Sequence, residues 1–128
     1  MVVRNSGMII RDDDSDSVFH IAKHEDWQSA TGHYVPKAFA QEGFIHFSYA
    51  SQVQATAGRY YMGRDDLVLL QVPRIRLAAD LVDENLLGGA ELFPHYYQVL
   101  ARGLVVDIAR IFWDEKSLFQ LGDYGAVG

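Results

Sequence analysis

Leu67-Val-Leu-Leu-Gln-Val72 is the stretch on which the fold turns. Five of its six residues are apolar, and Asp65-Asp66 and Pro73 bound it on either side. An apolar run this short, ended by a proline, reads as a strand covered on both faces. Pro73 has no N–H to continue a ladder, so the strand stops there.

Working outward, the elements alternate in kind. Upstream, residues 49–62 carry Ala50, Val53, Ala57, Tyr60 and Tyr61 at helical spacing, with Ser48 placed to cap the start and Gly63 to stop the end. Before that helix, Glu42-Gly-Phe-Ile-His-Phe-Ser48 reads as a strand over 43–48, and 33–42 as a loop around Pro36. Val18-Phe-His-Ile-Ala22 is another short strand, followed by a helix from Lys23 to Thr31 with Glu25 and Asp26 in its first turn and Gly32 as its stop. Downstream, 77–92 is open between a short helix and an irregular strand with a turn at Gly88-Gly89. Phe93-Pro-His-Tyr-Tyr97 is extended, because Pro94 pushes Phe93 out of helical geometry. Leu104 to Phe112 makes a last strand. Strands with two or three short helices interspersed give an α+β class. We expect an irregular acidic leader over 1–17, one domain over 18–122, and a frayed tail over 123–128.

Composition narrows the chemistry. The chain has 128 residues, no cysteine and a net charge of −6. Thiol nucleophiles, disulfides and thiolate zinc sites are thereby excluded. Duplex nucleic acid is a poor partner, since phosphate contacts need clustered Lys and Arg, and here only Arg74 and Arg76 are closely paired. No run approaches 18 apolar residues and the N-terminus lacks the apolar core of a secretory signal, so no membrane span is expected and the cytoplasm is the expected location. Asp12-x-Asp14-x-Asp16 imitates the start of a calcium loop, but Ser17 stands where that loop needs Gly and Lys23 where it needs Glu. There is no nucleophile elbow, no phosphate-cradling glycine loop and no dinucleotide fingerprint.

The strand period isolates two histidines. Side chains alternate along a strand, so Ile45 and Phe47 share one face and Phe44, His46 and Ser48 the other. Phe19 and Ile21 likewise oppose Val18 and His20. Each strand then offers an apolar face and a face carrying an imidazole, which suits a semi-buried ligand groove. The bland alternative is that each His is a structural hydrogen-bonder, the commoner fate of a single strand histidine. A third His stands in Phe93-Pro-His95-Tyr-Tyr97. His24 and His33 have polar neighbours and are given no role. No metal is expected: His20 and His24 have i, i+4 spacing, but the chain changes from strand to helix between them. Glu84 and Glu91 flank the Gly88-Gly89 turn as candidate carboxylates. Phe44, Tyr60, Tyr61, Phe93, Tyr96 and Tyr97 could stack on a planar heterocycle or simply form core.

Gly43-Phe-Ile-His46-x-Ser48, the helix with Gln52, Leu67-Val-Leu-Leu70, Glu84 and Phe93-Pro-His95-x-Tyr97 together resemble a bacterial family, domain of unknown function 952. The resemblance runs from about Val18 to Phe112. That family is grouped with the ADP-ribosyltransferase superfamily, and the resemblance implies a compact split β-sheet with an NAD-binding cleft between two small sheets. It implies His20, His46 and Glu84 in catalytic roles, the imidazoles on the ribose and the carboxylate steadying a cationic sugar. It also implies Ser48, His95 and Tyr97 as ligand-binding residues. The expected function is NAD or nucleotide binding, with ADP-ribosyl transfer or NAD glycohydrolysis as the reaction. The rival reading is a non-catalytic module that binds a small metabolite or a peptide in the same groove. It draws on the lack of a late-strand Glu, since Asp107 is the only acid over 104–112.

Overall fold

A computed structural model describes residues 2–3 and 9–124. In chain order the elements are β1 (Val2–Val3), β2 (Ile9–Ile10), β3 (Ser17–Lys23), α1 (His24–Ser29), β4 (His33–Tyr34), α2 (Phe39–Glu42), β5 (Ile45–His46), β6 (Ser48–Tyr49) and α3 (Ala50–Tyr60). There follow β7 (Leu67–Pro73), two 3₁₀ turns (Arg74–Arg76 and Ala78–Asp80), β8 (Leu81–Glu84), β9 (Phe93–Tyr96), β10 (Leu100–Ala101), a 3₁₀ turn (Arg102–Leu104), β11 (Asp107–Trp113) and β12 (Phe119–Asp123). Mixed α and β, with antiparallel sheets and few helices, is the class observed.

β7 is the middle strand of a five-stranded sheet ordered β12-β11-β7-β3-β6. Its Leu67, Val68, Leu69 and Leu70 are all buried, as the apolar run predicted. One face, with Leu67 and Leu69, packs with Phe19, Ala109 and Ile111 against α3 through Val53 and Ala57. The other, with Val68, Leu70 and Val72, packs on a three-stranded sheet ordered β5-β9-β8 through Ile45, Phe47 and Tyr96. Trp27, Tyr34 and Leu100 close that second core. Burying a leucine or phenylalanine contributes about 1.5–3 kcal/mol, so the doubly covered β7 anchors both layers.

The structure corrects several expectations. Residues 43–48 are not one strand. β5 pairs with β9 and β6 pairs with β3, so the chain leaves one sheet for the other at Phe47. The Phe47 N–H is satisfied by the Pro94 carbonyl at 2.9 Å. Tyr49, not Ser48, is the N-cap of α3, and its N–H is accepted by Gln52 Oε1 at 2.9 Å. α1 ends at Ser29 rather than Thr31, and α3 at Tyr60. The open region 77–92 resolves into a 3₁₀ turn, β8 and a loop. The last expected strand starts at Asp107, and β12 follows it. The leader is not wholly irregular, because β1 pairs with β2 and Ile10 enters the core. Asp123, expected in the tail, ends β12. Residues 1, 4–8 and 125–128 of those two segments lie outside the described residues. No helix among the described residues is long and apolar enough to cross a membrane.

Candidate functional site

The split between the two sheets creates an edge. The bonds from His24 N–H to the Asp66 carbonyl and from Arg74 N–H to the Asp16 carbonyl extend the β3–β7 register at its two ends. Hydrogen-bonded and non-hydrogen-bonded pairs alternate in an antiparallel ladder. Val18, His20 and Ala22 therefore turn their main-chain groups to β7, while Phe19, Ile21 and Lys23 turn theirs the opposite way. β6 meets that side only at Val18 and Phe19. The N–H and C=O of Ile21 are thus left without a strand partner among the described residues, on the wall of a cleft.

That cleft holds about 560 Å³, within the range of small-molecule sites. Phe19, His20, Ile21 and Lys23 of β3 form one wall, and Thr56, Tyr60 and Tyr61 at the C-terminal end of α3 another. Tyr34, Lys37, Glu42, Phe44, His46 and Ser48 complete it. Its rim mixes Lys23 and Lys37 with Asp26 and Glu42, so both signs of charge are available to a ligand.

At the floor, His20 is buried between Tyr34 and Phe47, ring centroids 5.4 and 5.6 Å away. Its Nδ1 lies 2.6 Å from the His46 carbonyl and its Nε2 2.9 Å from the Tyr34 hydroxyl. Loss of hydration lowers the His20 pKa to about 4, opposed in part by the carbonyl bond, so the ring is neutral. Burial, followed by the charge of Asp26, pushes the Tyr34 hydroxyl well above the usual phenol range. At neutral pH the imidazole is therefore uncharged and the phenol keeps its proton. Ser48 is also buried and lines the cleft, and its hydroxyl makes no hydrogen bond among the described residues.

His46 is exposed on the rim, and its Nε2 donates to the Glu42 carboxylate at 3.0 and 3.1 Å. Gly43, at φ +81°, makes the sharp reversal after α2 that brings Glu42 back to His46. A left-handed turn of this kind favours glycine.

His95, Glu84 and Tyr97 form a second cluster that does not line the cleft. The β8–β9 register sets Glu84 opposite Phe93 and Val82 opposite His95, so Glu84 and His95 share the outer face of the small sheet. His95 Nδ1 donates to Glu84 Oε1 at 3.0 Å, and the Tyr97 hydroxyl donates to the same oxygen. These two bonds, Tyr97's first, hold the Glu84 carboxyl below the usual carboxylate range. Phe44 stacks on His95 at 4.2 Å and stands between it and the cleft.

Of the residues picked from sequence, His20, His46 and Ser48 therefore converge on the cleft, while Glu84, His95 and Tyr97 gather beside it. Tyr60 and Tyr61 stand at its mouth, whereas Tyr96 is core. Sequence reasoning missed Tyr34 and Glu42. Tyr34 ends β4, a strand of two residues that is too short to carry a periodic signal, but Glu42 stands four residues before His46 and could have been paired with it. No group of three or more His, Asp or Glu among the described residues could hold a metal ion.

A family model described as "Protein of unknown function (DUF952)" matches residues 21–108. No curated protein matches the chain. Among solved structures, the chain is similar to the crystal structure of protein CC0527 from Caulobacter crescentus, with 32% identity and a TM-score of 0.73 over 81% of this chain and 93% of that one. The solution NMR structure of CC0527 matches with 32% identity and a TM-score of 0.71 over 80% and 90%.

Proposed function

The chain belongs to the family described as protein of unknown function DUF952, and from the cleft it presents we propose that it binds NAD or a related nucleotide, with an ADP-ribosyltransferase-like use of the split sheet. The observation that carries this reading is the unpaired β3 edge. A primary carboxamide presents an N–H donor and its carbonyl acceptor side by side, which is what Ile21 C=O and N–H complement. A planar ring attached to it would lie among Phe44, Tyr60 and Tyr61, where offset or edge contacts with aromatics are favourable. Lys23 and Lys37 at the rim suit the diphosphate, at the cost of nearby Asp26 and Glu42.

If the bound nucleotide reacts, the bond between ribose C1′ and nicotinamide breaks with its electron pair leaving on nicotinamide, positive charge develops on the sugar, and water, in hydrolysis, bonds to C1′ and gives up its proton to solvent. A carboxylate near that sugar would stabilise it. Glu42, fixed by His46, opens onto the cleft; Glu84 does not, so Glu42 takes the carboxylate role in this proposal. The position of Glu84 also favours the second reading, a binding module without chemistry.

Two measurements on the purified protein test these readings. Calorimetric titration with NAD should give saturable one-site binding, and its absence at millimolar NAD would remove the proposal. Release of free nicotinamide that is lost in Glu42→Gln marks an enzyme; binding without release marks the module.

A further inference from the structure

We propose that Tyr34, rather than His20, reads the sugar in this cleft and selects a nicotinamide-side ribose bearing free hydroxyls; the inference rests on the nucleotide reading above. It follows from where protons must sit. The His46 main-chain oxygen can only accept, so the contact with His20 places a proton on Nδ1. A buried, neutral imidazole then has a bare Nε2. The Tyr34 hydroxyl, 2.9 Å away, donates its one proton there. Tyr34 oxygen keeps only lone pairs for the cleft.

A phosphate, a carboxylate or a carbonyl oxygen set against that oxygen would meet lone pairs with lone pairs. A hydroxyl or an N–H can donate to it. Because the Ile21 edge lies one residue along β3 from His20, a carboxamide held there brings its own ribose, not the adenine end, toward Tyr34. Ser48 supplies the second observation. Ser48 is 7% exposed and lines the same cleft, and its hydroxyl makes no hydrogen bond among the described residues. Tyr34 packs in the layer of Leu70, whereas Ser48 is the cross-strand partner of Phe19 in the other, so the two meet a ligand from either side of the β3 edge: one ribose hydroxyl donates to the acceptor-only Tyr34, and its neighbour is left for the uncommitted Ser48. His20 has both ring nitrogens engaged within the protein and touches no ligand atom. It is a positioning residue that sets the polarity of Tyr34.

The test compares NAD with its analogue lacking the 2′ and 3′ hydroxyls of the nicotinamide ribose, titrated into wild type, Tyr34→Phe and Ser48→Ala. Wild type should prefer NAD by about tenfold or more, the worth of about 1.4 kcal/mol. Tyr34→Phe should lose most of that preference while binding the analogue as wild type does. Equal binding of NAD and the analogue by wild type, or an undiminished preference in Tyr34→Phe, overturns the assignment and leaves the nucleotide reading standing. Failure of both ligands to bind overturns the nucleotide reading and the assignment with it. Should Tyr34→Phe not fold, two readouts remain. Ser48→Ala should reduce the preference, and side-chain ¹⁵N shifts of wild type should show His20 protonated on Nδ1 and bare on Nε2. The opposite tautomer overturns the assignment.

Discussion

His46 and His95 are direct cross-strand partners, their rings 5.0 Å apart and nearly perpendicular, yet they serve different surroundings. His46 is exposed on the cleft rim and held by Glu42, whereas His95 is buried behind Phe44 and held by Glu84. The pair therefore marks the border between the ligand cleft and the outer face of the small sheet.

The neighbours Phe47 and His46 should separate core from rim. Phe47 joins the two sheets and is 2% exposed, while the His46 side chain is 55% exposed. Phe47→Ala should cost about 3–5 kcal/mol in chemical denaturation, as large core truncations do. His46→Ala should cost less than about 1 kcal/mol, since exposed ion pairs contribute little. Equal losses would mean that His46 is part of the core.

That contrast shows what the sequence could reveal. The doubly buried β7 was legible because a short apolar run has one stable placement. Alternation correctly sent Ile45 inward and His46 outward. It could not show the change of sheet at Phe47, because Ser48 keeps the same polar-apolar rhythm while acquiring a new partner strand. β12, with Gln120, Gly122 and Asp123, carries too little apolar patterning to be read as a strand, and β4 and β10 are two residues each. The site was half legible: His20 and His46 stood out, but only the β8–β9 register could show that Glu84 turns to His95 instead of the cleft.

Burial of neutral His20 predicts a pH dependence of definite sign. Its folded pKa, about 4, lies below the ordinary 6.5. Between those values the unfolded chain binds the proton more readily, so stability is fully present above about 6.5 and falls as pH drops toward 4. The span corresponds to a loss on the order of 3 kcal/mol. Denaturation midpoints measured from pH 7 to 4 should fall steeply for wild type and more gently for His20→Phe. Parallel curves would contradict the buried neutral histidine.

Glu84 should titrate below the ordinary 4.5 of its side chain, with Tyr97 as the first cause. A ¹³C carboxyl titration should show this, and Tyr97→Phe should move the value back upward. A depressed folded pKa means that this carboxylate's stabilising effect is present above about 4.5 and is lost on further acidification. No change in Tyr97→Phe would assign the shift to His95 alone.

Gly43→Ala should destabilise by about 1–2 kcal/mol, because the left-handed backbone at φ +81° is strained for a residue with a Cβ. No neighbour lies within 4 Å of the added carbon, so the cost is conformational rather than steric. The reversal also delivers Glu42 to His46. Nicotinamide release, if present in wild type, should therefore fall in Gly43→Ala at temperatures where the variant is still folded. Unchanged stability would contradict the required turn.

The central claim is the location of the nucleotide, and amide chemical-shift mapping with NAD tests it most directly. Shifts should gather at Ile21, Tyr34, Ser48, Tyr60 and Tyr61, with Ile21 N–H among the largest because it gains a hydrogen bond. Shifts confined to Val82, Glu84, His95 and Tyr97 on the outer face of the small sheet, or none at saturating NAD, would contradict the account.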